Sequence, residues 1–469
     1  MTSRLLLTCI LLLTASVILS IPGAEARAQG DFSTSLHATR AGKAYWYDQG
    51  FGLLTGIPIG DLGCRGCHGP TNADGNAYGP DYQPGCVDCH PTGNFDRSAL
   101  SVDQCLGCHG RQATEANTLA LGDVHRDEGL ECWDCHRASE MHGDGTEYDS
   151  MLQPGAITSD CVDCHGDLPS SHDANDPHEG RLHCSACHSS TVISCYNCHF
   201  ESQVEAHVKR AKQPISGFVL LVNRAKDGKV YTASLQSLSY EGKTFVAFAP
   251  YYAHTVMEEG RRCVACHVNL GGSNAAIEEY NRTGMIQFAR WNSADSTLAW
   301  KKGVVPMPED YASSFRMDFI TYDGDVADPA GPSKNWSFVE GEWDDHHMLF
   351  ATPLTRAQMA KLGMQLTSVR EVGPARDFSL APNFPNPFGP GSGTGGSATA
   401  ITYSIAREGM VELCVHDLRG AVVRRIVSRR QRPGTYVVEF DAGRLEAGVY
   451  LAVLRSGEQT RTRKLVLLR

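Results

Sequence analysis

Eight copies of Cys-x-x-Cys-His run through the chain, and a polypeptide that repeats this string has little freedom over what organises it. They are Cys64, Cys67 and His68; Cys86, Cys89 and His90; Cys105, Cys108 and His109; Cys132, Cys135 and His136; Cys161, Cys164 and His165; Cys184, Cys187 and His188; Cys195, Cys198 and His199; and Cys263, Cys266 and His267. Of the 18 cysteines only Cys9 and Cys414 fall outside the motifs, and both read as apolar residues rather than ligands. Two thiols three residues apart, followed at once by an imidazole, attach c-type haem: the thiols add across two vinyl groups and the imidazole reaches the iron. Zinc or redox disulfides would account for the cysteine pairs, but not for a histidine after every second cysteine when only 19 of 469 residues are histidine. A disulfide oxidoreductase needs one such pair. Eight covalent haem c groups are therefore expected.

Seven of the motifs fall between Cys64 and His199, in a stretch rich in Gly, Asp, Pro and Asn with few long apolar runs. Such a stretch is expected to lack an ordinary hydrophobic core. The fold class expected is therefore haem-organised: mostly short helices and loops, each helix opening near a motif, with stability dependent on the cofactor. Residues 217–250 differ. Phe218 to Val222, Lys229 to Leu235 and Thr244 to Phe248 read as strands separated by Asp227-Gly228 and Glu241-Gly242 turns. They predict a small inserted antiparallel sheet supporting the last haem. From about Phe378 onward, six β-branched segments predict a C-terminal all-β immunoglobulin-like sandwich.

The first residues resemble a secretory signal peptide: Arg4, an apolar run over Leu5 to Ile21, and a cleavage site at Ala26-Arg27-Ala28 or Ala24-Glu25-Ala26. The run is close to the length of a membrane anchor, which is the alternative. The expected domains are a signal peptide over 1–28, an octahaem region over 29–375 and a sandwich over 376–469. No transmembrane segment is expected after signal removal. A formal net charge of −11 argues against nucleic acid as a partner.

The sixth position on each iron separates electron carriage from catalysis. Ten histidines lie outside the motifs and the C-terminal domain. His37, His125, His142, His172, His178, His207, His254 and His346 would complete eight bis-histidine sites, leaving His183 and His347 to spare. Electron transfer along closely spaced low-spin haems follows as the first functional expectation, with redox partner proteins or an external electron acceptor as partners. An enzyme with one open site and a subunit of a conductive filament are the alternatives.

Two resemblances sharpen this. Phe378-Ser379-Leu380, Asn383 to Phe388, Ile401-Thr402-Tyr403, Val411-x-Leu413-x-Val415, Asp417 to Gly420, Ala447 to Tyr450 and Lys464 resemble the C-terminal sorting domain of type IX secretion substrates. His416 stands where that family usually has an aromatic residue, and the Gly389–Ser397 loop is unusually glycine-rich. The resemblance implies export through the periplasm to the cell surface or extracellular space, with the type IX secretion machinery as a partner. The haem count, together with Cys132-Trp133-Asp134-Cys135-His136 and Met141 to Gly145, resembles octahaem tetrathionate reductase and, more distantly, the hydroxylamine oxidoreductase group. That family would place an open or weakly held iron site here, for tetrathionate, nitrite or hydroxylamine. Lys43 is a candidate by position alone for its lysine ligand.

Overall fold

A computed structural model describes residues 30–59, 62, 84–166, 176–328, 335–339, 345–364, 369–373, 375, 377–389, 398–443 and 445–468. The expected signal peptide over 1–28, the Cys64–His68 motif, His172 and nearly all of the Gly389–Ser397 loop lie outside these residues.

β1 (Val192–His199), β2 (Ala211–Arg224), β3 (Val230–Tyr240) and β4 (Lys243–Pro250) come in quick succession. Tyr240 pairs with Lys243 across Glu241-Gly242, and both turn residues have positive φ, as a type I′ turn requires. Short strands follow: β5 (Ile286–Asn292), β6 (Thr297–Trp300), β7 (Gly303–Pro306), β8 (Phe315–Met317), β9 (Ile320–Tyr322), β10 (Trp336–Phe338), β11 (Asp345–Met348) and β12 (Ala351–Thr352). One seven-stranded sheet runs β11-β4-β3-β1-β2-β12, with β7 on β2. β2 pairs first with β1 and then with β3, which curls the sheet.

The expectation of a haem-organised fold is overturned. Residues from Ala186 to Met364 build a contiguous apolar core of their own. Its centre is a run of rings: Phe218 to Phe288 at 5.0 Å, Phe288 to Phe315 at 5.2 Å, and Phe315 to Phe248 at 5.1 Å. These rings bring together β2, β5, β8 and β4, and all four are fully buried. Each such side chain contributes about 1.5–3 kcal/mol by leaving water. The expected small insertion is thus the middle of the largest sheet. Its partners come from β5, β7 and β8, strands of three to seven residues scattered through a segment with no clear periodicity.

The second correction concerns motif seven. Cys195 to His199 does not open a helix but lies inside β1, between β3 and β2. Val192, Ile193 and Tyr196 favour a strand, and pairing with β2 through Cys195↔Pro214 and Cys198↔Ala211 fixes it. Asn197, at φ 47°, interrupts the strand alternation that would set residues three apart on opposite faces.

Residues 86–165 carry short helices and loops with few buried apolar side chains. The helices over Ala41–Gln49 and Phe51–Thr55 pack Tyr47 with Phe200, Leu238 and Phe245 on a second, smaller apolar cluster. The C-terminal region is β-rich, in part agreement with expectation. β13 (Val369–Gly373), β14 (Ser379–Leu380), β15 (Ala398–Ile405) and β18 (Gly434–Asp441) make one four-stranded sheet. β16 (Gly409–His416), β17 (Val422–Gln431), β19 (Gly448–Ser456) and β20 (Gln459–Leu467) make the other. Phe388, Tyr403, Leu413, Val438 and Leu454 fill the space between them. β13 pairs with β18, so this unit takes in residues upstream of 376. Among the described residues no helix is long and apolar enough to cross a membrane.

Candidate haem-ligand sites

Five of the motifs close a single helical turn: the backbone N–H of His90, His109, His136, His165 and His267 bonds the carbonyl of its own first cysteine at 2.8–2.9 Å. That turn sets two thiols three residues apart on one face. Three of the turns share a local device. Asp88, Asp134 and Asp163 each reach back to the backbone N–H just before the first cysteine, at 2.7, 2.8 and 3.0 Å. The aspartate thus caps the turn that presents the thiols.

No disulfide joins the described cysteines. Neighbouring motifs bring them close. Cys105 hydrogen-bonds Cys132, and Cys161 hydrogen-bonds Cys184; in each pair the contact raises one thiol and lowers the other. Burial is the main effect that raises Cys89, Cys135 and Cys187, and each is also raised by a thiol of a neighbouring motif, Cys108, Cys164 and Cys263 respectively. Motifs two, three, four, five, six and eight therefore follow one another in space.

Histidines from elsewhere in the chain face five motif histidines. Ring centroids are 6.0 Å apart for His37 and His109, 6.3 Å for His142 and His90, and 6.4 Å for His254 and His136. They are 6.0 Å apart for His125 and His165, and 6.1 Å for His178 and His267. An imidazole nitrogen sits about 2.0–2.1 Å from a metal and roughly 1.2 Å from its own ring centre, so two imidazoles sharing one ion would lie about 6.4–6.6 Å apart, slightly wider than most of these pairs. Every one of these pairs joins a motif histidine to a non-motif one.

The ring nitrogens point the same way. His90 Nδ1 lies 3.1 Å from the Asn94 carbonyl, His188 Nδ1 3.0 Å from that of Met257, and His267 Nδ1 2.8 Å from that of Lys361. A carbonyl only accepts, so each Nδ1 carries the proton and each Nε2 keeps its lone pair for a metal. His183 is the opposite case. Its Nδ1 accepts from Ser185 N–H at 3.2 Å, which puts the proton on Nε2, 3.8 Å from Asp160. It caps the Cys184–His188 helix, and burial lowers its pKa to about 4.

His207 is exposed at φ 57° and faces no described motif histidine. Nor does His346, which stacks on Phe248 in β11, where burial lowers its pKa to about 4. His347 lies against Phe245. His188 has a glycine beside it: a Cβ on Gly260 would stand 3.3 Å from Nε2. His199 sits in different company. Its Nδ1 lies 2.9 Å from Ser202 Oγ, its Nε2 3.3 Å from Glu201, and its ring 5.8 Å edge-on from Tyr322. Asp160, Cys161 and His183 also converge at ligand-like spacing, but Cys161 belongs to motif five.

One residue was missed by the sequence reading. Glu140 lies four residues after His136, on the short helix Ala138–His142 that also carries His142. Its carboxylate accepts from His136 Nδ1 at 3.0 Å, from Thr158 N–H and Oγ at 2.7 and 2.9 Å, and from Ser159 N–H and Oγ at 2.9 Å. Burial alone would push the carboxyl up, but these bonds outweigh it and hold its pKa at about 2. The His-x-x-x-Glu spacing after the motif was the available signal. The next residue but two, Gly143, has φ 78°, and a Cβ there would strike the Asp31 carbonyl. That close approach seats the segment leading to His37.

The residues present fit a covalent haem c at motifs two to five and eight: two thiols on one turn, a ligating imidazole with its far nitrogen tied in three of them to a carbonyl or carboxylate, and a second imidazole opposite. No protein-family model matches this chain, and no curated protein matches it in sequence.

Proposed function

We propose that the chain is an exported multihaem c-type cytochrome that carries electrons at the cell surface, to redox partner proteins or an external acceptor. The single observation carrying this is the set of five imidazole pairs at 6.0–6.4 Å, each joining one motif histidine to one non-motif histidine. A haem held this way would supply reversible one-electron chemistry. The chain's residues do the rest. The thiols anchor, His37, His142, His254, His125 and His178 close the far side, and the Nδ1 partners fix each ring. The order in which thiols of successive motifs approach one another supports conduction from site to site. Export rests on the signal-like start and on the likeness of residues 376–469 to a type IX sorting domain.

An octahaem reductase is the second reading, and one observation favours it. His199 has Glu201 and Tyr322 beside it where five other motif histidines face an imidazole. Intact mass of the secreted protein tests the cofactor load, with eight haems expected. Low-temperature electron paramagnetic resonance then tests the ligation. All irons low-spin supports the carrier, a high-spin signal supports the reductase, and a haem-free mature protein refutes both.

A further inference from the structure

We infer that Glu140 makes motif four the most reducing of the five described imidazole-pair sites, the one hardest to load with an electron. The inference rests on the haem reading above and concerns what stands behind the two imidazoles of one pair. Behind His136 is Glu140, its side chain 1% exposed, at 3.0 Å. Behind His254 is Glu115, its side chain 0% exposed, with Oε2 3.8 Å from Nδ1. Of the five described pairs this one alone has a buried carboxylate on each side. His90, on motif two, has a neutral carbonyl at Nδ1. So does His267, whose partner His178 lies 3.3 Å from the part-exposed Asp176. His125 has Asp123 at 3.9 Å, and no carboxylate among the described residues pairs with His165.

Neither glutamate is there by accident of the surface. Glu115 sits in the π-helical turn Thr114–Thr118, where Tyr251 donates to it at 3.0 Å and the His254 N–H at 3.3 Å. Extra residues in a helix of this kind often re-aim a functional side chain. Glu140 holds five hydrogen bonds, four of them from Thr158 and Ser159, which keep it aimed at His136 whatever the ring does.

The physics follows from charge. Taking up one electron converts Fe(III) to Fe(II) and removes one positive charge from the site. A buried anion behind the ligating ring draws its Nδ1 proton, makes the ring a stronger donor and favours the more positive state. Removing that anion should move the equilibrium towards reduction. Both residues act through a histidine, so they are positioning residues with an electrostatic role.

The test is a potentiometric titration of the full-length, haem-loaded protein, followed by optical and paramagnetic resonance spectra, with Glu140→Gln beside it. The amide keeps the shape and removes the charge. One one-electron couple is expected to rise by a tenfold shift in its equilibrium or more, about 59 mV, while the others stay in place. Glu115→Gln should move the same couple less, because burial favours the uncharged form of Glu115. Thr158→Ala removes one hydroxyl bond and no charge, and should leave that couple nearly unmoved. The inference is overturned if Glu140→Gln moves no couple, or lowers the one it moves. Should Glu140→Gln fail to accumulate, Glu140→Asp, which draws the charge back from His136, decides, with a smaller rise expected. A protein with eight low-spin haems whose couples ignore both variants defeats this inference and leaves the carrier reading intact, whereas a haem-free protein defeats the carrier reading first.

Discussion

Phe288 is the point at which the central core can be tested. It is fully buried and touches Phe218 and Phe315, with ring centroids at 5.0 and 5.2 Å. Phe288→Ala removes the middle ring of a series joining β2, β5, β8 and β4. Truncating a buried phenylalanine costs about 3–5 kcal/mol, cavity included, and the two ring contacts account for roughly 1–2 kcal/mol of that. A domain is stable by only about 5–15 kcal/mol, so about 4 kcal/mol is a large share. Phe288→Leu, which keeps most of the volume, should cost about 1–2 kcal/mol. The assay is urea unfolding of the haem-loaded full chain, followed by far-ultraviolet circular dichroism, with equal haem content in all samples. The expected result is a lower midpoint at unchanged slope. If Phe288→Ala costs less than about 1 kcal/mol, the apolar core is not what holds residues 186–364, and the covalent cofactors would have to be.

Other outcomes follow from the sites. Replacing His37, His125, His142, His178 or His254 singly by alanine should convert one low-spin iron to high-spin, read by paramagnetic resonance, whereas His207→Ala should leave the low-spin count unchanged. Gly260→Val should lower the haem load by one in intact mass, because even a Cβ there stands 3.3 Å from His188 Nε2. Asp227 is desolvated, which would raise its pKa, but Arg224 and the Lys229 N–H hold it below the usual 3.8. Its stabilising effect is present above that value and lost as pH falls through the lower folded-state pKa. Asp227→Asn should therefore flatten the acid limb of a stability profile and, because Asp227 is exposed and its pairing screened, cost at most about 1 kcal/mol at neutral pH, measured by denaturation.

What could be read from the sequence was what is local. The motif turns depend on five consecutive residues, and the Asp88, Asp134 and Asp163 caps lie within the same turns. The supply of histidines was legible as a number but not as pairs. His254 and His178 face His136 and His267 only because the intervening chain folds back. The core was illegible for the same reason: Phe288 and Phe315 sit in short strands whose partners are far along the chain. Motif seven misled because its spacing suggests a helix, and tertiary pairing on both sides overrides it. His183 looked like a spare ligand until the Ser185 N–H settled its tautomer.

The pairing of motif seven within β1 bears on assembly. The strand is held by β2 on one side and β3 on the other, so lifting it out breaks pairing with both. On the proposed reading, an attachment enzyme meets Cys195 and Cys198 most readily while the newly exported chain is still open, and sheet closure then fixes the backbone around the two part-exposed thiols. Maturation of this site becomes a race between bond formation and folding, and a chain that folds too early would leave the periplasm one cofactor short.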